Sequence, residues 1–202
     1  TTIIADSRFS NLISNGNVSR TRTRYDNSRD TITYQNDEPM PPYLFFLGVG
    51  TWDTFTRDFC YPDGKHVRLE LLTLPGSNEN DAGIALDIMA DAILWTHIFT
   101  GPERFEDEEK RLKLYELCTR RFRGEDGLTE EIESLAESMV CGYQYPYEVY
   151  REIAMQNSDF CGMENTGNTT IIASRIMQDA EITDASYEYM LGVKQHEFYH
   201  NL

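Results

Sequence analysis

The sequence predicts an α+β fold, β-rich at its start and built from a sheet with helices thereafter. Three observations predict it. Residues 1–42 are polar and turn-rich, with short β-type stretches between the turns. Several short apolar or alternating runs then follow, each bounded by Gly or Pro. Between them lie stretches whose apolar residues recur at helical spacing.

The elements follow in order. Ser14-Asn15-Gly16-Asn17 is a turn, because Asn-Gly accepts the positive φ a tight reversal needs. Thr31-Ile32-Thr33-Tyr34 has the β-branched and aromatic content of a strand. Asp37-Glu38-Pro39-Met40-Pro41-Pro42 suits neither helix nor central strand and reads as a domain boundary. Leu44 to Val49 is a short apolar run ending at Gly50, expected to be a buried strand. Val67 to Leu72 alternates as a second strand, entered through Pro62-Asp63-Gly64. Residues 80–100 read as a helix behind Pro75-Gly76. Leu112 to Phe122 and Leu128 to Met139 are amphipathic helices broken by Gly124-Glu125-Asp126-Gly127. Tyr147 to Met155 and Thr169 to Ala173 read as strands. Residues 184–202 form a last helix, with Thr183 or Asp184 as N-cap.

Composition narrows the function. At 40% hydrophobic and 12% aromatic residues, the 202-residue chain can bury a core. Its 34 acidic against 18 basic residues leave a net charge of −16, which repels nucleic acid and anionic membrane surfaces alike. The run Tyr43 to Val49 is far shorter than the ~20 residues of a membrane span, so no membrane segment is expected. Cys60, Cys118, Cys141 and Cys161 stand far apart and read as ordinary thiols. They do not decide the compartment; the cytoplasm is the favoured expectation. His66 and His97 match no motif and read as surface or boundary residues.

The last helix carries the chemistry. His196-Glu197-Phe198-Tyr199-His200 is H-E-x-x-H. Residues four apart stack on one helix face, so His196 and His200 can direct ring nitrogens at one Zn²⁺. Glu197, offset by one residue, reaches the water beside the ion without ligating it and suits a general base. Val193 shares the face of His196, and that side is expected to look toward core and metal. The motif alone does not choose among zinc peptidase clans.

Upstream stands Gly162-Met163-Glu164-Asn165, ahead of the strand at Thr169. With it the sequence resembles the aminopeptidase N family, the gluzincin aminopeptidases that also include leukotriene hydrolase. Their signature is a G-x-M-E-N segment on an edge strand, roughly thirty residues before H-E-x-x-H. This chain has one residue fewer between Gly and Met. Ile13 to Asn17 resembles the family's turn near the end of its N-terminal β-domain, and Pro41 to Gly50 the strand opening its catalytic domain. The resemblance implies that residues 1–42 end an all-β domain. Residues 43–202 would then be the first half of a thermolysin-like peptidase domain, with about 101–140 a helical insertion.

The resemblance also implies roles. His196 and His200 would be zinc ligands, and Glu197 the base that activates water. Glu164 would bind the α-amino group of a peptide with a free N-terminus. Gly162, Met163 and Asn165 would shape the strand along which that peptide lies. A third ligand, a Glu roughly nineteen residues past the second histidine, and an oxyanion tyrosine would follow Leu202, where many members have Trp. The chain is thus expected to be part of a larger zinc aminopeptidase, with the missing C-terminal part as its partner. Alone it would bind zinc weakly and turn over little. Two alternatives remain at this stage: another H-E-x-x-H endopeptidase, or a non-catalytic aminopeptidase-like scaffold with an acidic partner surface at Glu103 to Met139.

Overall fold

A computed structural model describes residues 1–178 and 181–201; Leu202, expected at the end of the last helix, lies outside the described residues. The fold is α+β. A three-stranded antiparallel sheet comes first, from β1 (Thr2–Asp6), β3 (Asn17–Arg24) and β4 (Arg29–Gln35), in the order β1-β4-β3. Its small core is Ile3, Leu12, Ile32 and Tyr34. Gly16 makes the expected turn at φ +86°, but it does not close a hairpin. β2 (Asn11–Ser14) pairs instead with β5 (Leu47–Gly50), on the far side of the proline-rich segment.

β5 departs from the buried strand expected over Leu44 to Val49. Pro42–Leu44 is a single 3₁₀ turn, because proline favours a helical φ at its first position. The strand is only four residues long, and Phe45, Leu47 and Val49 point outward, exposed. An edge position leaves one face of the run unpacked, which an apolar sequence does not reveal.

The main sheet has five strands in the order β6-β7-β8-β10-β9. They are β6 (Asp53–Cys60), β7 (His66–Thr73), β8 (Val149–Met155), β9 (Gly162–Met163) and β10 (Asn168–Ile172). β7, β8 and β10 run parallel; β6 and β9 close the edges antiparallel. Central β8 is buried along most of its length, including Arg151 and Glu152. β6 alternates exposed and half-buried residues without a strong apolar signal, and the sequence reading does not find it.

α1 (Glu79–Phe99) lies in the core, with Ala82, Ala85, Met89 and Ile93 packed against Val67, Leu69 and Leu71 of β7. By length and apolarity it could cross a membrane, although no continuous apolar run marks it; here 67% of its most apolar window is buried within the fold. His97 is correspondingly a core residue, 7% exposed, and its Nδ1 contacts the Tyr143 carbonyl at 3.1 Å. The expected surface or boundary position is corrected, because the histidine sits on the inner face of a buried helix. His66 is exposed beside Asp58.

α2 (Glu108–Phe122) and α3 (Thr129–Glu137) form the expected helical segment between α1 and β8. Arg111 holds its two ends together. Its buried guanidinium donates to the carbonyls of Ile98, Glu103, Glu106 and Val140, satisfying the end of α1 and the exit from α3 at once.

Candidate active site

α5 (Asp184–Tyr199) carries the H-E-x-x-H residues. Thr183 Oγ1 accepts from the Ser186 amide at 3.3 Å and starts it; His200 is its C-cap, so it ends earlier than expected. Met190, Lys194, Glu197 and Phe198 face inward, the spacing of one helix face. Phe198 anchors the helix edge-on against Tyr150, ring centroids 5.2 Å apart. His196 and His200 lie on the other face and are exposed. The expected inward face for His196 is therefore corrected. Glu197 turns inward, because at 100° per residue it lies about 100° around the helix from His196 and about 60° from His200.

The two rings meet edge to face, centroids 4.8 Å apart, with Nε2 atoms 3.2 Å apart. Two nitrogens bound tetrahedrally to one zinc at about 2.0–2.1 Å lie about 3.3–3.4 Å apart. The pair therefore fits a shared zinc ion. Glu197 is 7% exposed, and its Oε2 has no hydrogen-bond partner. A buried carboxylate oxygen without a protein partner is one that a bound cation or water satisfies. Burial pushes the Glu197 carboxyl above its ordinary value; the two histidines oppose this, while Glu164 and Glu152 push the same way.

β9 faces this helix from the sheet edge. Gly162 pairs with Ile171 and Met163 with Thr170. A Cβ on Gly162 would overlap Glu197 Oε1 and stand 2.6 Å from its Cδ, so the bare backbone lets the carboxylate lie against the strand. Glu164 follows at once. One ligand atom each from Glu164, Glu197 and His200 lie within 4.8 Å of one another. The loop is set by asparagines: Asn165 is buried and its carbonyl accepts from the Asn168 amide at 2.8 Å. Gly167 then turns at φ +72°, where a side chain would meet Tyr145 Oη, and its amide donates to Asn201 Oδ1 at 3.1 Å. Asn15 Nδ2, from the Asn-Gly turn, donates to the Thr166 carbonyl at 2.8 Å. His196, His200, Glu197, Gly162 and Glu164 are thus gathered at one place; Met163 and Asn165 support the strand and loop.

A cavity of about 720 Å³ opens here, lined by Phe160, Cys161, Gly162, Tyr189, His196 and Glu197. Cys161 and Tyr189 had no motif to mark them. All four cysteines are free. Burial pushes the Cys118 thiol up to about 12, while Cys161 is exposed. A disulfide reagent at pH 8 is expected to label Cys161 first and Cys118 only on unfolding. Mass mapping of the adducts checks this, and early label on Cys118 would contradict the packing.

Lys194 is the other residue the sequence hides. Its ammonium is fully buried and pairs with Glu152 Oε2 on β8, while Glu152 Oε1 has no partner. A lysine in an amphipathic helix reads as solvent-facing. Its place on the inner face, one turn before Phe198, is the only hint of burial.

No family model matches the chain. It is 26% identical over 200 residues to aminopeptidase N of Caulobacter vibrioides, covering 98% of this chain and 18% of that protein. Over 203 residues it is 26% identical to aminopeptidase N of Escherichia coli and 25% to that of Haemophilus influenzae, covering 100% of this chain and 18% of each relative. The solved structure of Legionella pneumophila aminopeptidase A in complex with aspartic acid shares the fold, with a TM-score of 0.68 and 19% identity over 98% of this chain and 19% of that one. The chain thus spans under a fifth of these relatives. With the Gly-Met-Glu-Asn strand facing the H-E-x-x-H helix and the relatives aligned across nearly the whole chain, the chain is similar to the aminopeptidase N family.

Proposed function

We infer that the protein carrying this chain is a zinc aminopeptidase that removes N-terminal residues from peptides. The observation that supports it most is the convergence of the His196 and His200 Nε2 atoms, 3.2 Å apart, with a carboxylate oxygen each of Glu197 and Glu164 within 4.8 Å of a ring nitrogen of His200. His196 and His200 would hold the zinc ion. Bound there, zinc supplies a Lewis acid for the scissile carbonyl and for the attacking water.

The protein residues then divide the work. Glu197 accepts the proton of the attacking water and passes it to the departing amine. Its raised pKa brings it nearer neutral pH, where proton transfer in both directions is efficient. Glu164 receives the substrate's α-ammonium through a charge-assisted hydrogen bond, which fixes the scissile bond one residue away. Met163 and Gly162, on the edge strand β9, offer free backbone groups for an extended peptide. On the same reading, residues 1–42 close a β-domain and 43–202 open the peptidase domain.

Glu164→Ala tests the exopeptidase part of this reading. Removing a charged hydrogen-bond partner of about 1.5–3 kcal/mol predicts a loss of roughly 10–150-fold in kcat/KM on substrates with a free N-terminus. N-blocked peptides should show no comparable loss. An equal loss on both would point to an endopeptidase instead.

A further inference from the structure

Gly192 stands in the interior of α5, where glycine costs a helix more than any residue but proline. No packing explains it. A Cβ there would meet nothing within 4 Å beyond the helix itself, so no neighbour excludes a side chain. Gly192 lies one turn before His196 on the same helix face and borders the cavity of about 720 Å³. Its missing side chain leaves room beside the histidines.

The cavity lies to one side of the histidine pair. Ligand atoms of Glu164 and His200 lie within 4.8 Å of one another, and neither residue lines the cavity, whereas His196, Gly162 and Cys161 do. A peptide held by its ammonium at Glu164 and laid along the β9 edge therefore passes the histidines and then reaches Gly162 and Cys161. The residue beside the cavity is its second one, whose amine departs. Phe160, Tyr189 and Val193 supply apolar wall there, and Asp159 and Glu188 supply negative charge. Among the described residues no lysine or arginine lines the cavity; Arg175 stacks on the Tyr189 ring, 4.7 Å from its centroid, from outside the lining. Such a wall suits a long basic side chain, which lays its methylenes on apolar surface and its charge among acids.

We propose that this cavity receives the side chain of the peptide's second residue and favours lysine or arginine there, with Gly192 as the residue that makes the room. This rests on the aminopeptidase reading given above and adds to it the class of substrate.

The test measures kcat/KM in the protein carrying this chain on tetrapeptides with free N-termini, one set varied at the second residue and one at the first, with the released amino acid counted by mass spectrometry. In the parent, Arg in second place should exceed Asp by about tenfold. Gly192→Leu should cut the Arg-to-Gly ratio at the second position by about tenfold and move the same ratio at the first position far less. Glu188→Gln should cut the Arg-to-Met ratio at the second position by about two- to fivefold, as befits an exposed charge. Gly192→Ala should lower the Arg-to-Gly ratio while raising the melting temperature by about 2–4 °C, since alanine is the better helix former. If Gly192→Leu fails to fold, as circular dichroism would report, the ratio in Gly192→Ala decides. A parent indifferent to the second residue, an unmoved ratio in the Gly192 variants, or a shift confined to the first residue overturns the proposal and leaves the aminopeptidase reading standing. No cleavage of any free N-terminus refutes that reading, and the proposal with it.

Discussion

Glu197→Gln in the protein carrying this chain is expected to lower kcat by roughly 10²–10⁴-fold, the contribution of a general base. Gln keeps the size and leaves the place against Gly162 filled, but it cannot accept the water's proton at neutral pH. The histidine nitrogens are untouched, so zinc content measured by atomic absorption should stay at the parent value. KM should change little, because the lost interaction belongs to the transition state. Two results would defeat the assignment. Near-parental kcat would remove Glu197 as base, and loss of zinc alongside activity would make it a ligand.

The second large effect is on stability. Lys194→Met leaves Glu152 buried at 0% exposure with neither oxygen paired, and breaking a buried ion pair from one side costs about 3–5 kcal/mol. For a chain of this length each kcal/mol is about 2–4 °C in melting temperature, so a fall of roughly 6–20 °C is expected. The double variant Lys194→Met with Glu152→Leu removes both charges and should recover most of that loss, since apolar residues of similar volume replace such pairs at little cost. Thermal unfolding by circular dichroism checks both. If the double variant is no better than the single one, the pair is more than a matched burial of charge. The pair also joins the helix of the histidines to the central strand, so the single variant should loosen zinc binding.

Much of this was legible because it is periodic or local. The spacing of His196 and His200 reads from the chain, since a helix repeats every 3.6 residues and stacks positions four apart. The turns at Gly16, Gly64, Gly124 and Gly127 read equally well; each takes the positive φ that glycine supplies cheaply. β6 was not legible, because its alternation mixes Thr, Arg and Asp with two Phe and reads as loop. β5 is less buried than its apolar run implies, because such a run does not say whether one face or both will be covered.

The sequence by itself determined the H-E-x-x-H spacing, the carboxylate ahead of it and the α+β class, because helical spacing, turn chemistry and alternation are local properties. Only the tertiary structure decided that Glu197 turns inward against Gly162 while the histidines face out. It alone brought Glu164 from a sheet edge to within 4.8 Å of that carboxylate and buried Lys194 on Glu152. The reason is physical. Which face of a helix is covered, and which residue of another strand meets it, depends on contacts between segments far apart in the chain, and no local spacing encodes them.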